Sequence, residues 1–322
     1  MAPPLLDPQI QAVLDEQEAE GLPPVEQMTP DEVRETLARR SREQWGELDE
    51  VHAIEDADAD GVPVRIYRPV ATDEPSMALV YFHGGGWVAG SIETHEGPCR
   101  AIARRAGIVV VSVEYRLAPE YPFPAGLEDA WTATEWVSRN AAELKLDVDR
   151  IGVGGDSSGG NLAAVVARRA RDRAVPIALQ LLLYPATSAD QNTPSYSLFS
   201  SGYGLTRDAM RWYWEQYLRG GADPKHPEVS PAEERDLRRL PRAIVVTAEA
   251  DVLRDEAESY AQRLFLSAVE TEGYRYDGMV HGFLRMAGKV QRSNAAYDEL
   301  APSIRAMLEK TWRDVPSPAP PG

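Results

Sequence analysis

Apolar positions recur along this 322-residue chain with two different periods, and the change of period divides it. Over residues 7–44 the spacing is helical: Ile10, Val13 and Leu14 share one face. Thr29-Pro30-Asp31-Glu32 then supplies a cap, a first-turn proline and acidic first-turn residues, so two helices are predicted. From about Glu47 short β-rich runs alternate with helical stretches. Runs at residues 62–67, 78–82, 108–113, 151–153, 179–183 and 243–247 predict strands, and their alternation with helices predicts a mainly parallel sheet covered on both faces. Leu79-Val80-Tyr81-Phe82 and Val109-Val110-Val111 are continuously apolar, as strands buried on both sides must be. Between them residues 98–105 read as a helix that Gly107 can end. In such sheets ligands bind where loops leave the carboxyl ends of strands, so chemistry is to be sought there.

Residues 187–231 break the alternation with polar and aromatic positions, among them Tyr203, Trp212, Tyr213, Trp214 and Tyr217. The stretch is too long for a plain connection and reads as an inserted lid with apolar walls, although each aromatic would serve equally as core. Residues 315–322 are proline-rich and expected to be disordered. No internal repeat is evident.

Composition narrows the function classes. Fifty-one acidic residues against 34 basic ones give a net charge of -17, which repels phosphate backbones and anionic membrane surfaces. Nucleic acid and membrane are therefore not expected partners. The single cysteine, Cys99, excludes an intramolecular disulfide and thiolate clusters and reads as a small buried apolar residue. The first residues lack a basic and apolar leader, and no apolar run approaches the ~20 residues that span a bilayer, so a cytoplasmic protein is expected.

Gly155-Asp156-Ser157-Ser158-Gly159 fits G-x-S-x-G, in which glycines permit a strained strand-to-helix turn that presents the serine. Alone it would occur by chance in roughly one chain in ten of this length. Here the apolar run before it and Asn161-Leu162-Ala163-Ala164-Val165-Val166-Ala167 after it supply the strand and helix that the turn requires. His83-Gly84-Gly85-Gly86-Trp87 leaves another apolar strand, where residues without side chains can aim amides at one point; the amide of Ser158 would add a third donor. A phosphate cradle is the competing reading, but neither G-x-x-x-x-G-K-[ST] nor G-x-G-x-x-G is present. His83 is expected to brace the loop.

A serine needs a base, and serine, acid and histidine in that chain order leave His226 and His281 of the five histidines. His281, in the glycine-flanked Gly278-Met279-Val280-His281-Gly282-Phe283, is preferred to His226 in the insertion. The acid should follow the strand at 243–247, which offers Asp251, with Asp255 and Glu249 as alternatives that could pair with Arg254 or cap the next helix. His95-Glu96 does not continue into a zinc-binding H-E-x-x-H helix, so no metal is expected.

Together these motifs resemble the bacterial hormone-sensitive-lipase family of carboxylesterases, a branch of the α/β-hydrolases, from about Val62 to Phe283. The likeness extends to Tyr115-Arg116-Leu117-Ala118-Pro119-Glu120, Leu183-Tyr184-Pro185, Asp251-Val252-Leu253-Arg254-Asp255-Glu256 and His281-Gly282-Phe283. It implies an α/β fold with a mainly parallel eight-stranded sheet, flanking helices and a helical cap. Residues 1–46 and 187–231 would form the cap, and residues 47–186 and 232–314 the two parts of the core. It also implies hydrolysis of short- to medium-chain carboxylic esters without a cofactor. Ser157, Asp251 and His281 would be the catalytic residues, and Gly85, Gly86 and Ser158 the oxyanion donors. Trp87 and Tyr184 are candidate substrate walls, and a homodimer is a family-level expectation. Amide, acetyl or carbamate substrates on the same triad, or a non-catalytic receptor like the plant members of the family, are the alternatives. Ser158, Ala250 and Ala268 depart from the family's usual alanine, aromatic residue and glycine at these places.

Overall fold

The structure, a computed structural model, describes residues 4–314; the predicted tail at 315–322 lies outside them. In chain order the elements are α1 (Pro8–Ala19), α2 (Pro30–Trp45), β1 (Ala53–Ala59), β2 (Val62–Arg68), β3 (Ser76–Phe82), α3 (Glu96–Ala106), β4 (Val109–Val113) and α4 (Ala125–Arg139). They continue with β5 (Leu146–Asp156), α5 (Ser158–Arg173), β6 (Leu179–Leu183), α6 (Pro194–Leu198), α7 (Arg207–Tyr217), β7 (Arg242–Ala250), α8 (Arg254–Leu266), β8 (Thr271–Val280) and α9 (Gln291–Glu309).

Eight strands form one sheet in the order β1-β2-β4-β3-β5-β6-β7-β8. The pairings β1·β2 and β2·β4 are antiparallel and all others parallel. All five residues of β4 and of β6 are buried, including the polar Ser112 and Gln180 among their otherwise apolar positions, as strands covered on both faces require. The apolar-run criterion misses β1 and β8 for a physical reason. They are the two edge strands: Ala-Ile-Glu-Asp-Ala-Asp-Ala of β1 is mostly exposed, and β8 buries mainly its last three residues. Charged, half-solvated edges blunt pairing with other chains and leave no continuous apolar signal.

Both N-terminal helices form where the caps predict. Thr29 and Glu32 make a reciprocal capping box at the start of α2. Arg34 then fastens this helix to the core, donating to the carbonyls of Val88 (2.9 Å) and Ala118 (3.1 Å). Asp7 N–H donates to the carbonyl of Gly278 at the end of β8, which anchors the start of α1. The stretch 187–231 leaves and re-enters the core at one place. Ala232 N–H donates to the Thr187 carbonyl (3.0 Å), and the Asn161 side chain on α5 donates to the carbonyls of both Ala186 and Val229.

Four strand ends meet on one edge of this frame. His83, Ser157, Asp251 and His281 each directly follow the last residue of β3, β5, β7 and β8. The fold thus delivers them to the carboxyl edge, where open parallel sheets carry their sites.

Helix α8 closes with a Schellman turn, in which Val269 N–H donates to Leu264 and Ala268 N–H to Phe265. The turn holds Ala268 at φ 60, and Ala174 after α5 sits likewise at φ 55. A left-handed alanine costs about 1–2 kcal/mol, of which the greater unfolded-state freedom of glycine would offset part. Ala268→Gly is therefore expected to raise unfolding free energy by roughly 1 kcal/mol. A urea titration showing an unchanged or lowered midpoint would count against this account of the turn.

Candidate active site

The turn between β5 and α5 is sterically fixed by its neighbours. A Cβ on Gly159 would lie 1.9 Å from the Phe82 carbonyl oxygen, and one on Gly155 2.3 Å from the same atom. No side chain fits there, so β3 can pass directly beside the turn. Ser157 is left at φ 56, ψ -118, a conformation rare for residues other than glycine, with its side chain projecting above the sheet.

Three further side chains converge on that serine. His281 Nε2 lies 2.9 Å from Ser157 Oγ, and its Nδ1 lies 2.7 Å from Asp251 Oδ2. Asp251 is buried, and its other oxygen accepts from Leu253 N–H at 2.9 Å, which fixes the carboxylate plane. Tyr184 packs edge-on against the imidazole at a ring separation of 5.0 Å. The hydroxyl, imidazole and carboxylate form one hydrogen-bonded line, in which the carboxylate selects the tautomer that leaves Nε2 free to accept.

The alternative residues are occupied elsewhere. Asp255 accepts from Ser195 N–H at the start of α6 and pairs with Arg254, Glu249 accepts from Gly278 N–H, and His226 is exposed and bonded to Glu228 N–H. His83 braces its loop as expected: fully buried, it stacks on Tyr115 at 4.2 Å, and burial pushes its pKa down to about 3. It is neutral at ordinary pH.

Beside Ser157, the amides of Gly85, Gly86 and Ser158 donate to no acceptor among the described residues. All three residues and Ser157 line one cavity of about 490 Å³. Its floor is the strand edge; its walls include Val33, Leu37 and Arg40 of α2 and Ala209, Met210 and Tyr213 of α7. The Tyr213 ring lies over Gly86, where a Cβ would come within 2.1 Å of it. Among the described residues no group of three or more His, Cys, Asp or Glu side chains is arranged to hold a metal ion, and no helix is long and apolar enough to cross a membrane.

A family model described as alpha/beta hydrolase fold matches residues 79–285. The chain belongs to that family. Among its relatives, this α/β hydrolase is 43% identical to the carboxylesterase NlhH of Mycobacterium tuberculosis over 70% of its own length and 72% of the relative's. It is 35% identical to the ethyl acetate hydrolase of Pseudomonas putida, over 84% and 88%. Of solved structures, it resembles a hyperthermophilic esterase from the archaeon Pyrobaculum calidifontis (39% identity, 95% and 100% covered, TM-score 0.88). An ester hydrolase from the Lake Arreo metagenome, complexed with a bipyridine phosphonate derivative, aligns with TM-score 0.90 at 35% identity over 95% and 100% of the two chains. The likeness to hormone-sensitive-lipase-type carboxylesterases read from the motifs is borne out.

Of the two predicted walls, Trp87 lines the cavity of this hydrolase, and its indole stacks on Tyr217 at 4.4 Å. Tyr184 does not line it. Its amide donates to the Val246 carbonyl as the chain turns at φ 37 after β6, and the ring is buried beneath His281 as support.

Sequence reasoning missed Asp156. Buried beside Ser157, its Oδ1 accepts from Tyr81 hydroxyl (2.8 Å) and Gly84 N–H (2.9 Å), while Oδ2 lies 3.3 Å from His95 Nε2. Burial alone would raise its pKa, but the neighbouring His95, the Arg285 charge and the Tyr81 hydroxyl hold it below the usual carboxylate range. Asp156 thereby ties the glycine loop after β3 to the turn after β5. Removing this acceptor while retaining its donors leaves buried groups unpaired, at a cost of about 1–3 kcal/mol each. Asp156→Ala should lose roughly 3 kcal/mol or more of stability, and Asp156→Asn, which keeps an acceptor, distinctly less. Equal denaturation midpoints for Asp156→Ala and the parent protein would refute the tie.

Proposed function

We propose that this α/β hydrolase is a carboxylesterase in which Ser157 is the nucleophile, His281 the general base and Asp251 the orienting acid. The observation that carries the proposal is the unbroken hydrogen-bonded line from Ser157 Oγ through both ring nitrogens of His281 to Asp251 Oδ2. His281 Nε2 takes the hydroxyl proton as Oγ attacks the ester carbonyl carbon. The carbonyl oxygen becomes an oxyanion facing the amides of Gly85, Gly86 and Ser158, each of such donors being worth about 10²- to 10³-fold in rate. Collapse of this intermediate expels the alcohol, which His281 protonates, and leaves an acyl-serine. Water then attacks the acyl carbon with the same base, releasing the acid and restoring the serine. Asp251 holds the imidazole and stabilises its cation throughout.

The esterase names of the relatives and the size of the cavity, about 490 Å³, support short- to medium-chain carboxylic esters as substrates. We further propose that residues 1–46 and 187–231 act as a cap, since α2 and α7 both supply walls of the cavity that Ser157 lines. A purely receptor-like role is disfavoured by the completeness of the serine, histidine and aspartate line.

On p-nitrophenyl esters of graded chain length, rates should peak at short to medium acyl groups. Ser157→Ala should lower kcat by about 10⁶ and Asp251→Asn by about 10⁴, with a much smaller effect of Asp255→Asn. Greater damage from Asp255→Asn in folded protein would overturn the assignment of the acid.

A further inference from the structure

Arginines in this acidic protein are mostly paired. At the cavity wall Arg40 bonds Glu20 at 3.0 Å, and its neighbour Arg39 bonds the same carboxylate. Arg285 differs. It lines the same cavity as Ser157 and His281, is partly buried, and its guanidinium makes no salt bridge, hydrogen bond or aromatic contact among the described residues. Asp156, which feels its charge, already has Tyr81, Gly84 and His95 as partners. A half-buried guanidinium without an anion forgoes the strongest interaction open to it, a bidentate pair with a carboxylate.

Its position says which part of a substrate it would meet. The guanidinium lies against Gly282, the residue after His281, where a Cβ would be 3.2 Å from Nη2, and Arg285 and His281 line the same cavity. Resting on the mechanism above, His281 Nε2 must protonate the departing alcohol, so the alcohol portion of an ester lies on the histidine's side of the cavity. We propose that Arg285 is a subsite for a carboxylate carried on the alcohol portion of the substrate. The preferred esters of this enzyme are then acyl esters of hydroxy acids, and the group released alongside the acyl acid is itself a carboxylate. A single guanidinium whose charge already acts on the buried Asp156 suits one negative charge better than the two of a phosphate monoester. The acidic residues of the cavity mouth, Asp15 and Glu18, are exposed and screened by solvent.

The test compares 3- and 4-acetoxybenzoate with their methyl esters, which differ in the charge of the leaving portion. The parent enzyme should cleave the anions at least as efficiently as the methyl esters. Arg285→Gln should lower the ratio of kcat/KM, anion over methyl ester, by roughly 10- to 100-fold through KM, and Arg285→Lys should restore part of it. An equal fall on both substrates, leaving the ratio unchanged, would mean that Arg285 serves only the field around Asp156 and would overturn the proposal. Calorimetry separates this from the hydrolase reading: Ser157→Ala should bind the acetoxybenzoates, and Ser157→Ala/Arg285→Gln should not. Undiminished binding by the double variant overturns the subsite. Binding that depends on Arg285, in a parent protein that cleaves neither ester, would support the subsite and sink the esterase assignment.

Discussion

The architecture of the site depends on one buried carboxylate. Asp156 ends β5, and through Tyr81 and Gly84 it grips both the body of β3 and the loop that leaves it. That grip joins the start of the loop to the serine turn, and the bracing of His83 and the bond from Arg34 to the Val88 carbonyl hold the rest of a loop whose three glycines impose little conformation of their own. The steric side of the constraint is the contact of Gly159 with the Phe82 carbonyl, which permits β3 and the serine turn to approach closely. A preorganised donor cluster acts on a developing charge only if it need not move to meet it. Here hydrogen bonds to a buried anion and the absence of two Cβ atoms keep the donors in place.

Much of this was legible in the chain. Ser157 and Asp251 were readable because they follow predicted strands closely, and His281 because it sits between glycines in a motif that restricts the backbone as well as the side chain. The edge strands were not readable as runs, since β1 and the first part of β8 face solvent. Asp156 was invisible for a different reason. Its partners Tyr81 and Gly84 lie 75 and 72 residues away, and nothing in local spacing announces a pairing that only the β3·β5 register creates. Tyr184 was read as a wall from its place in Leu183-Tyr184-Pro185, but a backbone bond to Val246 turns it inward.

Charge is distributed with a similar economy. A net charge of -17 is carried largely on exposed carboxylates, while the interior beside Ser157 holds compensated anions and one cation without a partner among the described residues. Desolvation makes such charges specific: the buried anions are held by matched neighbours, and the unpaired cation gains most from an anion that reaches it.

The hydrogen bond between Ala232 and the Thr187 carbonyl closes the base of the 187–231 excursion like a clasp. Loop-closure cost rises only slowly with length once the ends are pinned. A change of length within the excursion is therefore felt first where its helix α7 meets the glycine loop, at Tyr213 over Gly86 and Tyr217 against Trp87, and not at the sheet. The same pinned base thus lets one excursion press on the glycine loop from above while its own ends stay registered with the core.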